Sequence, residues 1–378
     1  MADEISVLIV DDSALMRNLI AKMIESTPGL MVAEKAMNGI FALQKIPRVN
    51  PDVIVLDLEM PEMNGIEFLK ERKKQGIKIP VVILSSIARR GAEITMEALS
   101  LGASDFIQKP SGSVSEDIHT VKDTLVGMLL GYGGQYRRLQ GKKVLASGEY
   151  PQKTEVSGAV VTDIRKIFPV TPAAPVKPLA PLRKPGNVEV IAIGISTGGP
   201  DALRVVFAKL DADLKQPILV VQHMPAGFTM EFARSLDRLC PLDVKEAEEG
   251  DVVQPGRVLI APGNKHMEVE KKGIGAIVHL SDSPPVNGHR PSVDVLFASV
   301  ALAYQNRALG VIMTGMGRDG AQQLGTICKE GGITLGQDEA SAVVYGMPRV
   351  AYELGHVMEQ VSLEKMAERI CTVAKTQR

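Results

Sequence analysis

The sequence predicts an α/β protein made of two doubly wound, mostly parallel sheets joined by a spacer. Three observations carry this. Short, β-rich apolar runs alternate with amphipathic helical stretches along residues 4–130, and again along 188–378. Between them, over 131–187, the alternation fails, and Pro169, Pro172, Pro175, Pro178 and Pro181 recur every third residue, the period of a semi-rigid polyproline II spacer. The chain has 378 residues, a length for which two domains are the natural expectation.

In the first half, Val7-Leu8-Ile9-Val10, Val53-Ile54-Val55-Leu56 and Val81-Val82-Ile83-Leu84 read as strands covered on both faces. Leu15, Leu19 and Met23, with Met16, Ile20 and Ile24, recur four apart and define one helical face, which Pro28-Gly29 ends. Helices are predicted over 64–75, 91–101 and 113–130, after which Gly131-Tyr132-Gly133-Gly134 opens the spacer. In the second half, strands are predicted at 188–193, 217–222, 257–261, 309–314 and 332–335. Helices are predicted near 200–210, 226–239, 293–306, 320–330 and 362–376. His266 and His279 fall in a β-hairpin region and read as structural.

Composition narrows the function classes. Hydrophobic residues make up 45% of the chain and there are 35 glycines, which suits α/β cores with many tight turns. The formal net charge of −1 favours neither nucleic acid nor an anionic membrane as a bulk partner. Three widely spaced cysteines, 240, 328 and 371, predict free thiols in a reducing cytoplasm rather than disulfides or a metal site. The opening Met-Ala-Asp-Glu predicts no signal peptide, and no apolar run is long enough to span a bilayer.

Gly194-Ile195-Ser196-Thr197-Gly198 follows the apolar run at 188–193 and precedes a helical stretch. A sharp turn there lifts a serine hydroxyl above the sheet edge, where a base can reach it. The five-residue pattern carries little alone, since serine needs a partner to become a nucleophile. His223 follows the run at 217–222, and Asp319 lies in the loop after the run at 309–314. All three therefore sit past the C-terminal ends of strands, where the ligand crevice of an open α/β sheet lies. The order Ser…His…Asp differs from the Ser…Asp…His of α/β-hydrolases, so that fold is disfavoured.

The first half carries a second set. Asp11 and Asp12 end the first strand, Asp57 ends the run at 53–56, Ser85 ends the run at 81–84, and Lys109 follows Asp105-Phe106-Ile107. Any one of these reads as a cap or a solvated loop residue. Together, at successive strand ends, three carboxylates beside an ammonium predict a Mg²⁺ site. Asp57 is then the nucleophile toward a phosphoryl donor, with Lys109 neutralising charge on the transferring group.

Residues 4–125 resemble the receiver domain of bacterial response regulators. The likeness rests on Asp11-Asp12-Ser13, on Asp57 followed by Met60-Pro61-Glu62-Met63-Asn64-Gly65, on a hydroxyl at Ser85 or Ser86, and on Lys109-Pro110. It implies a flavodoxin-like fold, Asp57 as phosphoacceptor, Mg²⁺ held by Asp11, Asp12 and Asp57, Ser85 as phosphoryl sensor and Phe106 as the aromatic switch. The second half resembles the catalytic domain of chemotaxis protein-glutamate methylesterases, a Rossmann-like hydrolase. Here the likeness rests on Gly194–Pro200, Gln222-His223-Met224-Pro225, His289-Arg290-Pro291-Ser292-Val293-Asp294 and Thr314–Gly320.

These resemblances imply hydrolysis of glutamate γ-methyl esters on chemoreceptors, and deamidation of receptor glutamines. Ser196 would be the nucleophile, His223 the base, Asp319 its orienting acid and the Met316 backbone an oxyanion donor, with no cofactor in that site. The implied partners are chemoreceptors and the pathway's histidine kinase, with no nucleic acid and no membrane insertion. His289 and Arg290 read as substrate-loop or structural residues. The alternatives are an inert receptor-binding adaptor or a paralogue serving a pathway other than motility.

Overall fold

The computed structural model describes residues 4–85, 89–109, 115–142, 181–273 and 275–376. Ser86, Pro110, the four spacer prolines from Pro169 to Pro178, and so the period-three spacer itself, lie outside the described residues.

The N-terminal domain runs β1 (Ile5–Val10), α1 (Ala14–Glu25), β2 (Leu30–Ala36), α2 (Gly39–Val49), β3 (Val53–Asp57), α3 (Gly65–Lys74), β4 (Val81–Ser85), α4 (Arg89–Ser100), β5 (Asp105–Gln108) and α5 (Ser115–Leu139). Its five strands are all parallel, in the order β2-β1-β3-β4-β5. The order reverses at β1, so the C-terminal ends of β1, β3, β4 and β5 converge on one crevice.

The C-terminal domain runs β6 (Val190–Ile195), α6 (Gly199–Phe207), β7 (Ile218–Gln222), α7 (Phe228–Asp237), β8 (Asp243–Glu246), β9 (Arg257–Ile260), β10 (His266–Lys272), β11 (Gly275–Ser281), α8 (Val293–Tyr304), β12 (Ala308–Ile312), α9 (Ala321–Lys329), β13 (Ile333–Gln337), α10 (Met347–Glu353), β14 (Glu359–Val361) and α11 (Leu363–Thr376). Seven parallel strands lie in the order β14-β13-β12-β6-β7-β9-β8, while β10 and β11 pair as an antiparallel hairpin. β6 is central, with β12 on one side and β7 on the other, so the ends of three adjacent strands meet. Among the described residues, no helix is long and apolar enough to cross a membrane.

Two shifts of predicted boundaries bear on the sites. Gly131, Gly133 and Gly134 do not open a spacer: α5 continues through them to Leu139. Each helical glycine costs about 1 kcal/mol against alanine, but at Gly131 and Gly133 close approach requires it. A Cβ at Gly133 would stand 2.3 Å from Ile5 Cγ2, and one at Gly131 would stand 2.6 Å from the Val343 carbonyl oxygen. Beyond them, Arg137 anchors the extension by donating to the Glu4 carbonyl at 2.5 Å and to buried Asp52 at 3.1 Å. The second shift is at β6, which runs two residues past the predicted strand, so Gly194 belongs to the sheet and not to the turn. Val293 Cγ1 lies 2.1 Å from where a Cβ at 194 would be.

The two domains pack face to face. One apolar core cluster contains Leu56, Phe68 and Phe106 from the first domain and Phe207, Phe228 and Phe232 from the second. Phe106 stacks on Phe228 with centroids 4.9 Å apart and planes 14° apart, an arrangement worth about 0.5–1.5 kcal/mol beyond burial. On the other face of the receiver sheet, Val343 packs against the cluster formed by α1 and α5.

Candidate active site and phosphoacceptor site

Ser196 is the first residue past β6. Its N–H donates to the Thr314 carbonyl at 3.0 Å and its carbonyl accepts from Gly199 N at 2.8 Å, which closes a tight turn. Gly198 holds φ +83°, a left-handed conformation that glycine adopts without strain. The turn is braced from below by Gln222, whose side-chain amide donates to the Ser196 carbonyl at 3.0 Å and to the His223 carbonyl at 3.2 Å.

His223 follows β7 and bridges the other two predicted residues. Its Nδ1 lies 3.1 Å from Ser196 Oγ and its Nε2 lies 2.8 Å from Asp319 Oδ2. An ionised carboxylate only accepts, so Nε2 carries the ring proton and Nδ1 keeps a lone pair for the serine hydroxyl. The ring is turned opposite to the chymotrypsin arrangement, in which Nε2 faces serine.

Asp319 is buried. Burial alone would raise its pKa, but bonds from His223, Asn287 and the Val293 N–H outweigh it and hold the carboxyl well below the usual carboxylate range. Ser292 Oγ adds a bond to Oδ1 at 2.8 Å. Sequence reasoning did not single out Asn287 or Ser292 as partners of the acid. The signal was present for one of them: Val286-Asn287-Gly288-His289 is a two-residue Asn-Gly hairpin.

Met316 is partly exposed beside this relay. A Cβ at the preceding Gly315 would stand 2.9 Å from Ser196 Cβ, so the Met316 backbone passes against Ser196. His289 lies flat on the His223 ring. His266 is buried in the hairpin region, taking the Ser292 N–H at Nδ1 and pairing Nε2 with the Pro284 carbonyl, a structural role.

In the first domain, carboxylate oxygens of Asp11, Asp12 and Asp57 lie within 4.8 Å of one another. Lys109 Nζ is 2.7 Å from Asp57 Oδ2 and 3.4 Å from Asp11 Oδ2. Burial raises the Asp57 pKa, opposed by Lys109. Asp11 Oδ2 is buried without a hydrogen bond. Three hard oxygen donors, one of them buried with only a long ion pair to Lys109, fit a hard divalent cation such as Mg²⁺. Ser85 lines the same cleft as Asp57 and Lys109, and its hydroxyl is 2.6 Å from that of Thr95 on α4, a partner the sequence did not reveal.

The sites lie at opposite ends of one connection. β5 ends one residue before Lys109, while its first residues, Asp105 and Phe106, face the second domain. Asp105 Oδ2 accepts from the Gly198 N–H at 2.8 Å, two residues past Ser196.

Residues 191–370 match the family model described as CheB methylesterase, and residues 7–120 match the response regulator receiver domain. A Treponema denticola protein-glutamate methylesterase/protein-glutamine glutaminase is 60% identical over 97% of this chain and 98% of its own. The chain belongs to the protein-glutamate methylesterase/protein-glutamine glutaminase family. The Treponema pallidum member is 54% identical over 97% of this chain and 96% of its own. The Thermotoga maritima CheB methylesterase catalytic domain is 36% identical, covering 49% of this chain and 98% of that one at a TM-score of 0.48. This methylesterase-family chain thus combines a receiver domain and a hydrolase domain, and the two interlock beside Ser196.

Proposed function

We propose that this enzyme removes methyl groups from glutamate γ-methyl esters of chemoreceptors, and deamidates receptor glutamines, under control of receiver phosphorylation. The observation that carries it is the continuous relay from Ser196 Oγ through His223 to Asp319, with steps of 3.1 and 2.8 Å.

Ser196 Oγ attacks the γ-carbonyl while His223 Nδ1 takes its proton. The oxyanion is met by backbone N–H groups at Met316 and the Ser196 turn. His223 gives the proton to the ester oxygen, or to the amide nitrogen of a glutamine, as its bond to the carbonyl carbon breaks, so methanol or ammonia leaves and an acyl-enzyme remains. Water then attacks with His223 again as base, releasing glutamate and restoring Ser196. Asp319, held ionised, stabilises the imidazolium formed in each step. An acid kept ionised and aimed at a histidine argues against an inert adaptor.

Control acts through the interface. Asp57 accepts a phosphoryl group from the pathway's histidine kinase in the cytoplasm. Asp11, Asp12 and Asp57 hold Mg²⁺, which when bound supplies charge neutralisation at the phosphoryl group. Lys109, now paired with Asp57, shifts toward the new oxygens, with Ser85 as sensor. β5 carries that shift to Asp105, which in the unphosphorylated form holds the catalytic turn at Gly198, and to Phe106, which stacks on Phe228 of α7. α5 also presses on the site: a Cβ at Gly127 would lie 2.9 Å from Met316 Sδ.

The test is release of labelled methanol from methylated receptor membranes by the full chain, with and without a small phosphodonor and Mg²⁺. Stimulated release is expected from wild type and none from Ser196→Ala. Undiminished release by Ser196→Ala overturns the serine mechanism.

A further inference from the structure

The loop preceding α8 touches both partners of the nucleophile. Asn287 and Gly288 have φ of +53° and +80°, and Val286 and His289 pair through N–H···O bonds of 3.0 and 2.9 Å. This is a two-residue hairpin of the Asn-Gly type, the commonest kind of tight hairpin connection. Asn287 Nδ2 donates to Asp319 Oδ1 at 2.9 Å and to Asp294 Oδ2 at 2.7 Å. Asp294 in turn takes the Gln323 N–H at 2.9 Å, tying the hairpin to α9. From the same hairpin, the His289 ring lies on the His223 ring, with centroids 3.7 Å apart and planes 11° apart.

The relay bonds hold Nδ1 and Nε2 and the bond to Cβ holds Cγ, so the freedom left to the ring is torsion about the Cα–Cβ and Cβ–Cγ bonds. A flat surface against the ring face removes that freedom. Burial and the neighbouring His223 push the His289 pKa down to about 4, so near neutral pH the covering ring adds no charge against the imidazolium formed in catalysis.

We propose that His289 is a positioning residue for the catalytic base, forming the wall that fixes the plane of the His223 imidazole between Ser196 and Asp319. The proposal rests on the serine mechanism given above. A residue that only lines the substrate path would act through KM, whereas a wall behind the base acts through kcat and on any acylating reagent, however small. Misplacing a reacting group by about 1 Å costs on the order of 100-fold.

The experiment compares full-length wild type, His289→Ala, His289→Leu and His289→Phe, each stimulated with a small phosphodonor and Mg²⁺. Labelled methanol release from methylated receptor membranes gives kcat and KM, and inactivation by a small fluorophosphonate gives the reactivity of Ser196 without receptor contacts. His289→Ala and His289→Leu are expected to lose roughly 10- to 100-fold in kcat and in inactivation rate, with KM within about twofold. His289→Phe keeps a flat face and is expected to stay within about threefold of wild type. Leucine fills the space without a flat face, so a fall in the alanine variant from a collapsed loop alone would spare it. Unchanged kcat in the alanine and leucine variants, a loss confined to KM, or a phenylalanine variant no better than leucine overturns the proposal. Wild type that ignores the fluorophosphonate, with Ser196→Ala still active, overturns the serine mechanism instead.

Discussion

The carboxylate of Asp105 accepts a hydrogen bond from the amide of Gly198 at 2.8 Å, joining the last strand of the receiver to the turn that carries Ser196. Asp105 also takes the Phe106 N–H at 2.9 Å and the Tyr132 hydroxyl at 3.3 Å, and it is fully buried. Burial pushes its pKa up to about 7, with the bonds opposing and Asp201 on α6 adding to the rise. Asp201 is itself raised by burial, tempered by Arg204. A carboxyl with a pKa raised to about 7 thus lies at one of the contacts between the two domains.

This makes domain closure proton-linked. In the closed form the Asp105 pKa is about 7, and in an opened, solvated form it returns toward about 3.9. The closed form binds the proton more tightly, so this contribution to closure is complete below the open-form value and is lost as pH rises through 7. Where opening limits turnover, basal methanol release by unphosphorylated wild type rises roughly tenfold more between pH 6 and 8 than that of Asp105→Asn. The asparagine keeps an acceptor for Gly198 and has no charge to bury. Parallel pH profiles for the two proteins would remove Asp105 from the latch.

Ser196→Ala and His223→Ala should each fold and each lose about 10⁴–10⁶-fold in kcat, because triad members act as a unit. The double variant should be hardly worse than either single one. Additive losses, measured by methanol release at saturating receptor, would show that the two side chains act in separate steps.

Asp57→Ala should abolish stimulation by a small phosphodonor and leave the unstimulated rate within about twofold, since Asp57 lies in the receiver and away from the relay. Chelation of divalent cations should do the same to wild type, because Asp11, Asp12 and Asp57 converge without another counter-ion than Lys109 among the described residues. The readout is the ratio of stimulated to basal methanol release. A ratio unaltered by chelation would argue against a metal in phosphoryl transfer.

The strand-end logic reached both sites from the sequence. Strand ends in a parallel sheet converge whatever the loops do, so Ser196, His223 and Asp319 could be grouped without coordinates, as could Asp11, Asp57 and Lys109. Packing across the domains was not legible. Asp105 was given no role of its own, because its partner Gly198 lies 93 positions away. Gly131 and Gly133 read as helix breakers because local propensity disfavours them, whereas Val343 and Ile5 leave no room for a side chain there. α2 was not among the predicted helices: it contains Pro47 near its end, and it is started by the Asn38 side chain, which accepts from Phe41 N at 3.1 Å.

Gly131 gives the sharpest test of closure. A Cβ there meets the Val343 carbonyl at 2.6 Å and the Val343 and Val344 methyls at 3.1 Å. Backbone cannot swing aside as a flexible side chain can, so the two domains must separate to admit it. Alanine is also the better helix former, by about 1 kcal/mol, so Gly131→Ala should leave the receiver itself intact. Val343 braces the Ser196 turn from the other side, with its Cβ 2.9 Å from where one at Gly198 would stand. Loosening it therefore frees the site on two flanks. A shift of about 1–2 kcal/mol toward the open form raises basal methanol release roughly 5- to 30-fold and lowers the further gain from phosphodonor by a similar factor. Gly127→Ala should be milder, since it meets the flexible Met316 side chain. A Gly131→Ala protein with wild-type basal rate and undiminished stimulation would show that this contact does not restrain the enzyme.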